Sequence, residues 1–155
     1  MIRVLAILTL ALTVVSCQPE GRIYSEFQDL SPKVEWLKSD TRTFKVPITN
    51  TDMTYKMSLS FRYATGYGYP SAMVKVTERS PSGLETINDY DLQLINKQGE
   101  YIGEAGLDIW DSEHMVEANK KYEEAGEYTY TIEQNTPVDP LPYAMEVGLI
   151  LDELK

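Results

Sequence analysis

The chain has 155 residues, a formal net charge of −10, 43% hydrophobic residues and a single cysteine. That length suits one domain with a sizeable core and is short for two. The acidic excess argues against nucleic acid or an anionic membrane surface as partner, and one thiol cannot supply an internal disulfide or a thiolate-rich zinc site.

In chain order, Met1-Ile2-Arg3 is followed by an apolar run, Val4 to Val15, broken only by Thr9 and Thr13. A spanning helix needs ~20 apolar residues, so this run has the length of a signal-peptide core rather than a permanent anchor. Val14-Val15-Ser16-Cys17 then resembles a bacterial lipobox, in which the cysteine thiol is alkylated with diacylglycerol and the peptide is cut just before it. The plainer alternative is a free cysteine closing an ordinary signal peptide or beginning a buried strand. Charge, apolar run, small residue and cysteine agree in order and spacing, which favours lipidation of Cys17. Each buried acyl methylene contributes ~0.8 kcal/mol and one chain anchors only marginally, so the two or three fatty acyl chains (palmitate or similar) of a mature lipoprotein hold it stably. Residues 1–16 are therefore expected to be a removed signal peptide and 17–35 a lipidated N-terminus and tether. Ile23, Tyr24, Phe27 and Leu30 give the second half of that tether side chains with which to join the fold. Residues 36–155 are expected to form the folded domain, entered at Trp36 and Leu37.

From Thr41 the pattern has period two. Phe44, Val46 and Ile48 share one face, and Tyr55, Met57, Leu59, Phe61 and Tyr63 alternate with Lys56, Ser58, Ser60 and Arg62. Pro47 puts the first of these strands at an edge or bulge, and Asn50-Thr51-Asp52 supplies the turn between them. Further strands are predicted at residues 73–78, 89–95, 127–134 and 145–151, with weaker ones at 85–87 and 101–109. Turn signals separate them at residues 66–70, 81–83, 97–99, 125–126 and 137–142. Ser112 to Glu124, rich in Glu, Lys and Ala, reads as a short helix or a polar loop. Short strands between Gly and Pro clusters point to an all-β fold, an antiparallel β-sandwich of jelly-roll or immunoglobulin-like type.

Reactive constellations are sparse. Asp108, Asp111 and His114 have three-residue spacing and would converge on a cation if helical, but the lone histidine favours a solvated acidic loop, and no metal is expected. No Gly-x-Ser-x-Gly turn or phosphate loop is present. Asp89 with Asp91, and Glu123 with Glu124, are paired carboxylates with no sign of a cleft around them. Tyr63, Tyr67 and Tyr69 crowd the glycine-rich stretch Tyr63-Ala64-Thr65-Gly66-Tyr67-Gly68-Tyr69-Pro70. They form a candidate binding loop for a sugar ring or a protein partner, against the blander reading that Tyr63 faces the core and the other two cover its edge.

Several segments together resemble the GldH-type gliding-motility lipoproteins of Bacteroidetes. They are Arg22-Ile23-Tyr24 behind the lipobox, Trp36 leading to Phe44-Lys45-Val46, Leu59-Ser60-Phe61-Arg62-Tyr63, and Tyr67-Gly68-Tyr69-Pro70. Gly99-Glu100-Tyr101-Ile102-Gly103, Gly126-Glu127-Tyr128-Thr129-Tyr130 and Val147-Gly148-Leu149-Ile150 follow in order. The resemblance implies a lipid-anchored, non-enzymatic component of the cell envelope, connected with gliding motility or its secretion machinery, with no catalytic residues and no cofactor. Its expected partners are the membrane, through lipid on Cys17, and other envelope proteins. Gln18 after the cysteine and the single acid Glu20 favour the periplasmic face of the outer membrane over the cell surface. A lipid-anchored carbohydrate-binding module, with Tyr67 and Tyr69 as stacking platforms, is the alternative.

Overall fold

Tyr55, Met57, Leu59, Phe61 and Tyr63 are all buried, and they line one face of the strand on which the fold is built. The structure, a computed structural model, describes residues 20–154. The expected leader, Cys17 and the first residues after it lie outside that range, so the expected lipidation site is not among the described residues.

Among the described residues eleven strands follow in chain order: β1 (Arg22–Asp29), β2 (Glu35–Trp36), β3 (Arg42–Ile48), β4 (Thr54–Ala64), β5 (Ser71–Arg79), β6 (Glu85–Gln93), β7 (Glu104–Ala105), β8 (Ile109–Lys120), β9 (Gly126–Gln134), β10 (Leu141–Pro142) and β11 (Ala144–Leu154). One sheet has the order β1-β11-β4-β8-β7 and the other β3-β9-β5-β6, while β2 and β10 make a small two-stranded pair. Every pairing is antiparallel. The two large sheets stack as a β-sandwich, and no helix occurs among the described residues.

The core is aromatic, with polar tips satisfied. Phe61 packs against Trp36, Tyr63 and Tyr67 at ring separations of 6.2, 6.2 and 6.3 Å. Trp36 Nε1 donates to the Asp40 carbonyl at 2.6 Å, and the Tyr63 hydroxyl sits 2.9 and 2.7 Å from the carbonyls of Leu94 and Ile102. Without such partners each buried hydroxyl would cost ~1–3 kcal/mol.

Four expectations are corrected. Residues 22–29, assigned to the tether, form β1, which pairs with β11 from Arg22↔Asp152 to Asp29↔Glu146. As an edge strand β1 buries little, so its residues do not alternate visibly in sequence. The segment 112–124, read as helix or loop, is largely β8, hydrogen-bonded along β4. Helix propensity is a weak prior, and here pairing with a central strand overrides it. The inward positions of β8 include Ser112 and His114, and irregular register near Met57 interrupts the alternation. The weak strand at 101–109 shrinks to β7, because Gly103 lies with φ +132° so close to Asp111 that a Cβ would collide with its carbonyl. Predicted residues 85–87 and 89–95 merge into the single strand β6.

The register also fixes which turns share an end. Arg22 pairs with Asp152, Asp152 with Lys56, and Tyr55 with Lys120, while Ile48 pairs with Gly126 and Arg79 with Glu85. The start of β1, the 49–53 turn, the 80–84 turn and the 121–125 connection therefore lie at one end of the sandwich.

Candidate functional site

Among the described residues, the side chains singled out from sequence do not come together in one site. Tyr63 and Tyr67 are 0% and 1% exposed, and Tyr69 leans edge-on against Tyr67 at 5.7 Å. Burial pushes the Tyr63 phenol up to about 12, and the Tyr67 hydroxyl donates to the Ser71 carbonyl at 2.9 Å. The loop thus packs its rings inward, so Tyr67 offers no free face to a sugar. Asp111 and His114 lie on opposite faces of β8, an odd number of residues apart, so a helical cation site with Asp108 does not form. Among the described residues no group of three acidic, histidine or cysteine side chains is placed to hold a metal. Asp89 accepts from Asn135 at 3.1 Å and Asp91 from Gln93 at 3.0 Å, both on the outer face of β6. Glu124 instead accepts from the amide and hydroxyl of Ser82 at 3.0 and 2.6 Å, which lowers its pKa.

The structure assembles two concave features that sequence reasoning missed. The larger is a groove of about 770 Å³ where the sandwich stands open between β6 and β8. On the opposite side β1 closes against β3, with Gln28 Nε2 donating 2.8 Å to the Thr43 carbonyl. In the groove the Lys120 ammonium lies 2.6 Å from Glu78, 3.2 Å from Glu117 and 5.1 Å from the ring centre of Tyr122. Tyr90 donates to Glu117 at 3.0 Å, and burial, with the Glu117 charge second, raises its pKa. Its phenol is therefore a fixed hydrogen-bond donor. Leu84 stands 72% exposed at the mouth. With Lys120 tied between two carboxylates and its phenols protonated, the groove is equipped for recognition, offering apolar faces and hydrogen bonds. The strand period carried no signal for it, because Glu78 and Lys120 are 42 residues apart.

The second feature is a depression of about 430 Å³ on the outer face of the five-stranded sheet. Across it, Phe27, Gly148, Ser60 and Glu113 fall in one row by register, and Asp29, Glu146, Arg62 and Asp111 in the next. Arg62 grips Asp111 through two bonds, 2.6 and 3.2 Å, and reaches Glu146 at 3.3 Å. Burial, only partly offset by Arg62, raises the Glu146 pKa. Arg22 bonds Asp152 at 3.0 Å and approaches Glu113 at 3.9 Å, so its guanidinium lies across β4. Burial would raise the Asp152 carboxyl, but the hydrogen bonds and charges of Arg22 and Lys56 outweigh it and hold it below the usual range.

Comparison with known proteins adds the following. The chain is 23% identical over 119 residues to a protein named gliding motility lipoprotein GldH homolog from Christiangramia forsetii (strain DSM 17595 / CGMCC 1.15422 / KT0803), covering 77% of this chain and 71% of that one. Among solved structures, TmCBM61 in complex with beta-1,4-galactotriose matches with a TM-score of 0.33 and 12% identity over 84% of this chain and 81% of that one. Dimeric latent PorU from Porphyromonas gingivalis matches with a TM-score of 0.35 and 14% identity, over 90% of this chain but 13% of PorU. Scores this low do not establish a common fold. The family described as GldH lipoprotein, by contrast, matches residues 22–151, from the first residue of β1 into β11, and the chain belongs to that family.

Proposed function

We propose that this GldH-family lipoprotein is lipidated at Cys17, held at the periplasmic face of the outer membrane, and acts there as a non-enzymatic protein-interaction component associated with gliding motility or its secretion machinery. The observation that carries the interaction role is the open side of the sandwich, a groove between two strand edges in which Lys120, Glu78, Glu117 and Tyr90 are already paired with one another. Family membership supports the anchor and the motility context. Because β1 begins at Arg22, the tether would comprise only residues 18–21. Five residues from Cys17 to Arg22 reach at most about 18 Å, so the end carrying the 80–84 and 121–125 turns would ride close to the bilayer.

Metabolic labelling with a fatty acid tests the anchor: label is expected in the native protein and lost in Cys17→Ser, and equal labelling of both would sink the lipidation reading. Protease treatment of intact cells tests the side of the membrane, with resistance expected until the outer membrane is breached. Crosslinking in envelopes is expected to recover motility or secretion components above an untagged control.

A further inference from the structure

Four strand edges bound the two large sheets, and three of them carry a device against adding another strand. β1 has a register irregularity between Arg22 and Tyr24 and is tied to β3 through Gln28. β3 carries Lys45 and Pro47. β7 is two residues long and covers only Trp110 and Asp111, so beyond it the edge is β8, which is broken by register irregularities opposite Tyr55 to Ser58 and carries Lys120. Natural sheets blunt their edges in these ways because an open edge templates pairing with another chain. β6 is different. Its nine residues, Glu-Thr-Ile-Asn-Asp-Tyr-Asp-Leu-Gln, pair with β5 in unbroken register from Ser71↔Gln93 to Arg79↔Glu85 and contain no proline, glycine or lysine. Among the described residues no strand pairs with its outer edge.

The two faces of β6 differ in chemistry. Thr86, Asn88, Tyr90 and Leu92 lie on the side of the buried Val74 and Val76, and the first three of them line the groove. Glu85, Ile87, Asp89 and Asp91 point outward, three acids and one aliphatic side chain that is 60% exposed. Lys75, the Cα partner of Asp89, is instead ion-paired with Glu133, and Met73 stands opposite Asp91. Two copies of this edge would set acids beside acids, which is destabilising, whereas a strand presenting cations would gain ~0.2–1 kcal/mol per cross-strand pair.

We propose that the outer edge of β6 accepts a basic, extended segment of a partner protein as an added strand. Its Lys or Arg side chains stand beside Glu85, Asp89 and Asp91, and its alternate apolar side chains enter the groove against Leu84 and Tyr90. Main-chain bonds supply affinity and the alternating side chains specificity, the logic of strand addition in general. The assignment rests on the interaction role proposed above and names the partner's chemistry.

The test uses the full-length lipidated protein in detergent and a nonapeptide alternating Lys with Val, read by amide hydrogen exchange. Exchange across residues 85–93 is expected to slow with this peptide, while β3 is unchanged and an alternating Glu and Val peptide has no effect. The double variant Glu85→Lys, Asp91→Lys, folded by the same exchange map, is expected to bind about tenfold more weakly. Unchanged exchange at 85–93, or equal protection by the acidic peptide, overturns the proposal. A photo-crosslinking residue placed in cells at Ile87, or separately at Phe27, distinguishes this proposal from the broader role. Adducts at Ile87 with a basic extended segment support it. Adducts at Phe27 alone overturn the β6 assignment and leave the interaction role standing, and adducts at neither overturn both.

Discussion

The hydroxyls of Tyr122 and Tyr130 meet at 2.7 Å inside the sandwich, and among the described residues neither has another hydrogen-bond partner. Burial is the main cause that raises both phenol pKa values, so the pair shares one neutral hydrogen bond. Tyr130→Phe strands the Tyr122 hydroxyl, and the expected loss is ~1–3 kcal/mol. Tyr122→Phe should cost a similar amount. The double Phe variant removes both polar groups together, and it should recover most of the stability in a double-mutant cycle measured by denaturant unfolding. Losses that simply add would mean the bond is not made.

Lys120 is the charge around which the groove is arranged, with a side chain only 9% exposed and Glu78 and Glu117 as partners. Lys120→Met keeps most of the volume but leaves two carboxylates facing each other with no cation between them. Removing one partner of a buried pair costs ~3–5 kcal/mol, and this partly open groove should show about 3. Restoring neutrality with Glu78→Gln and Glu117→Gln in the Lys120→Met background should return most of that loss. Urea unfolding of the three proteins checks the order.

His114 makes stability depend on pH in a defined direction. Desolvation lowers its pKa, the nearby Glu113 charge opposes this weakly, and its Nε2 is buried without a hydrogen-bond partner. With the folded pKa below the unfolded value of about 6.5, the unfolded chain binds more protons as the solution is acidified. The contribution of neutral His114 is therefore complete above about pH 6.5 and is lost as pH falls through the depressed folded value. His114→Gln should flatten the stability profile between about pH 5 and 7. An unchanged slope in thermal melts across that window would contradict the assignment.

How much of this was legible in the sequence follows from what each strand buries. β4 and β9 put aromatic or aliphatic side chains on the core face at every second position, so Tyr55 to Tyr63 and Tyr128 to Ile132 announce themselves. β3 was legible too, including its place at an edge, because Pro47 lacks the donor a central strand requires. β8 was hidden because its core side carries Ser112 and His114, whose burial depends on partners far along the chain. Ser112, for instance, donates to the Phe61 carbonyl at 2.9 Å across 51 residues. The groove was hidden for the same reason, since Lys120, Glu78, Tyr90 and Glu117 come from three strands in two sheets. The tyrosine loop allowed two readings, a binding surface or rings packed on the core and its edge, and the fold spends Tyr63 and Tyr67 on its core.

The strand identity of β1 gives the remaining prediction. Gly148 on β11 stands opposite Phe27, and a Cβ there would overlap the Phe27 ring and come within 3.1 Å of the Glu26 carbonyl. If residues 22–29 were a free tether, Gly148→Ala would be nearly neutral or slightly stabilising, because glycine in a strand interior weakens it. With β1 in place the added methyl must displace the ring, and overpacking of this kind costs ~1–3 kcal/mol. Phe27 is 46% exposed and has room to swing away, which places the expected loss near the lower figure. Phe27→Ala in the Gly148→Ala background removes the clash and leaves only the tight carbonyl contact. The second substitution should therefore cost less in that background than in the native chain, and amide exchange should show β1 protected again. Equal costs in both backgrounds would mean that Phe27 does not lie on Gly148.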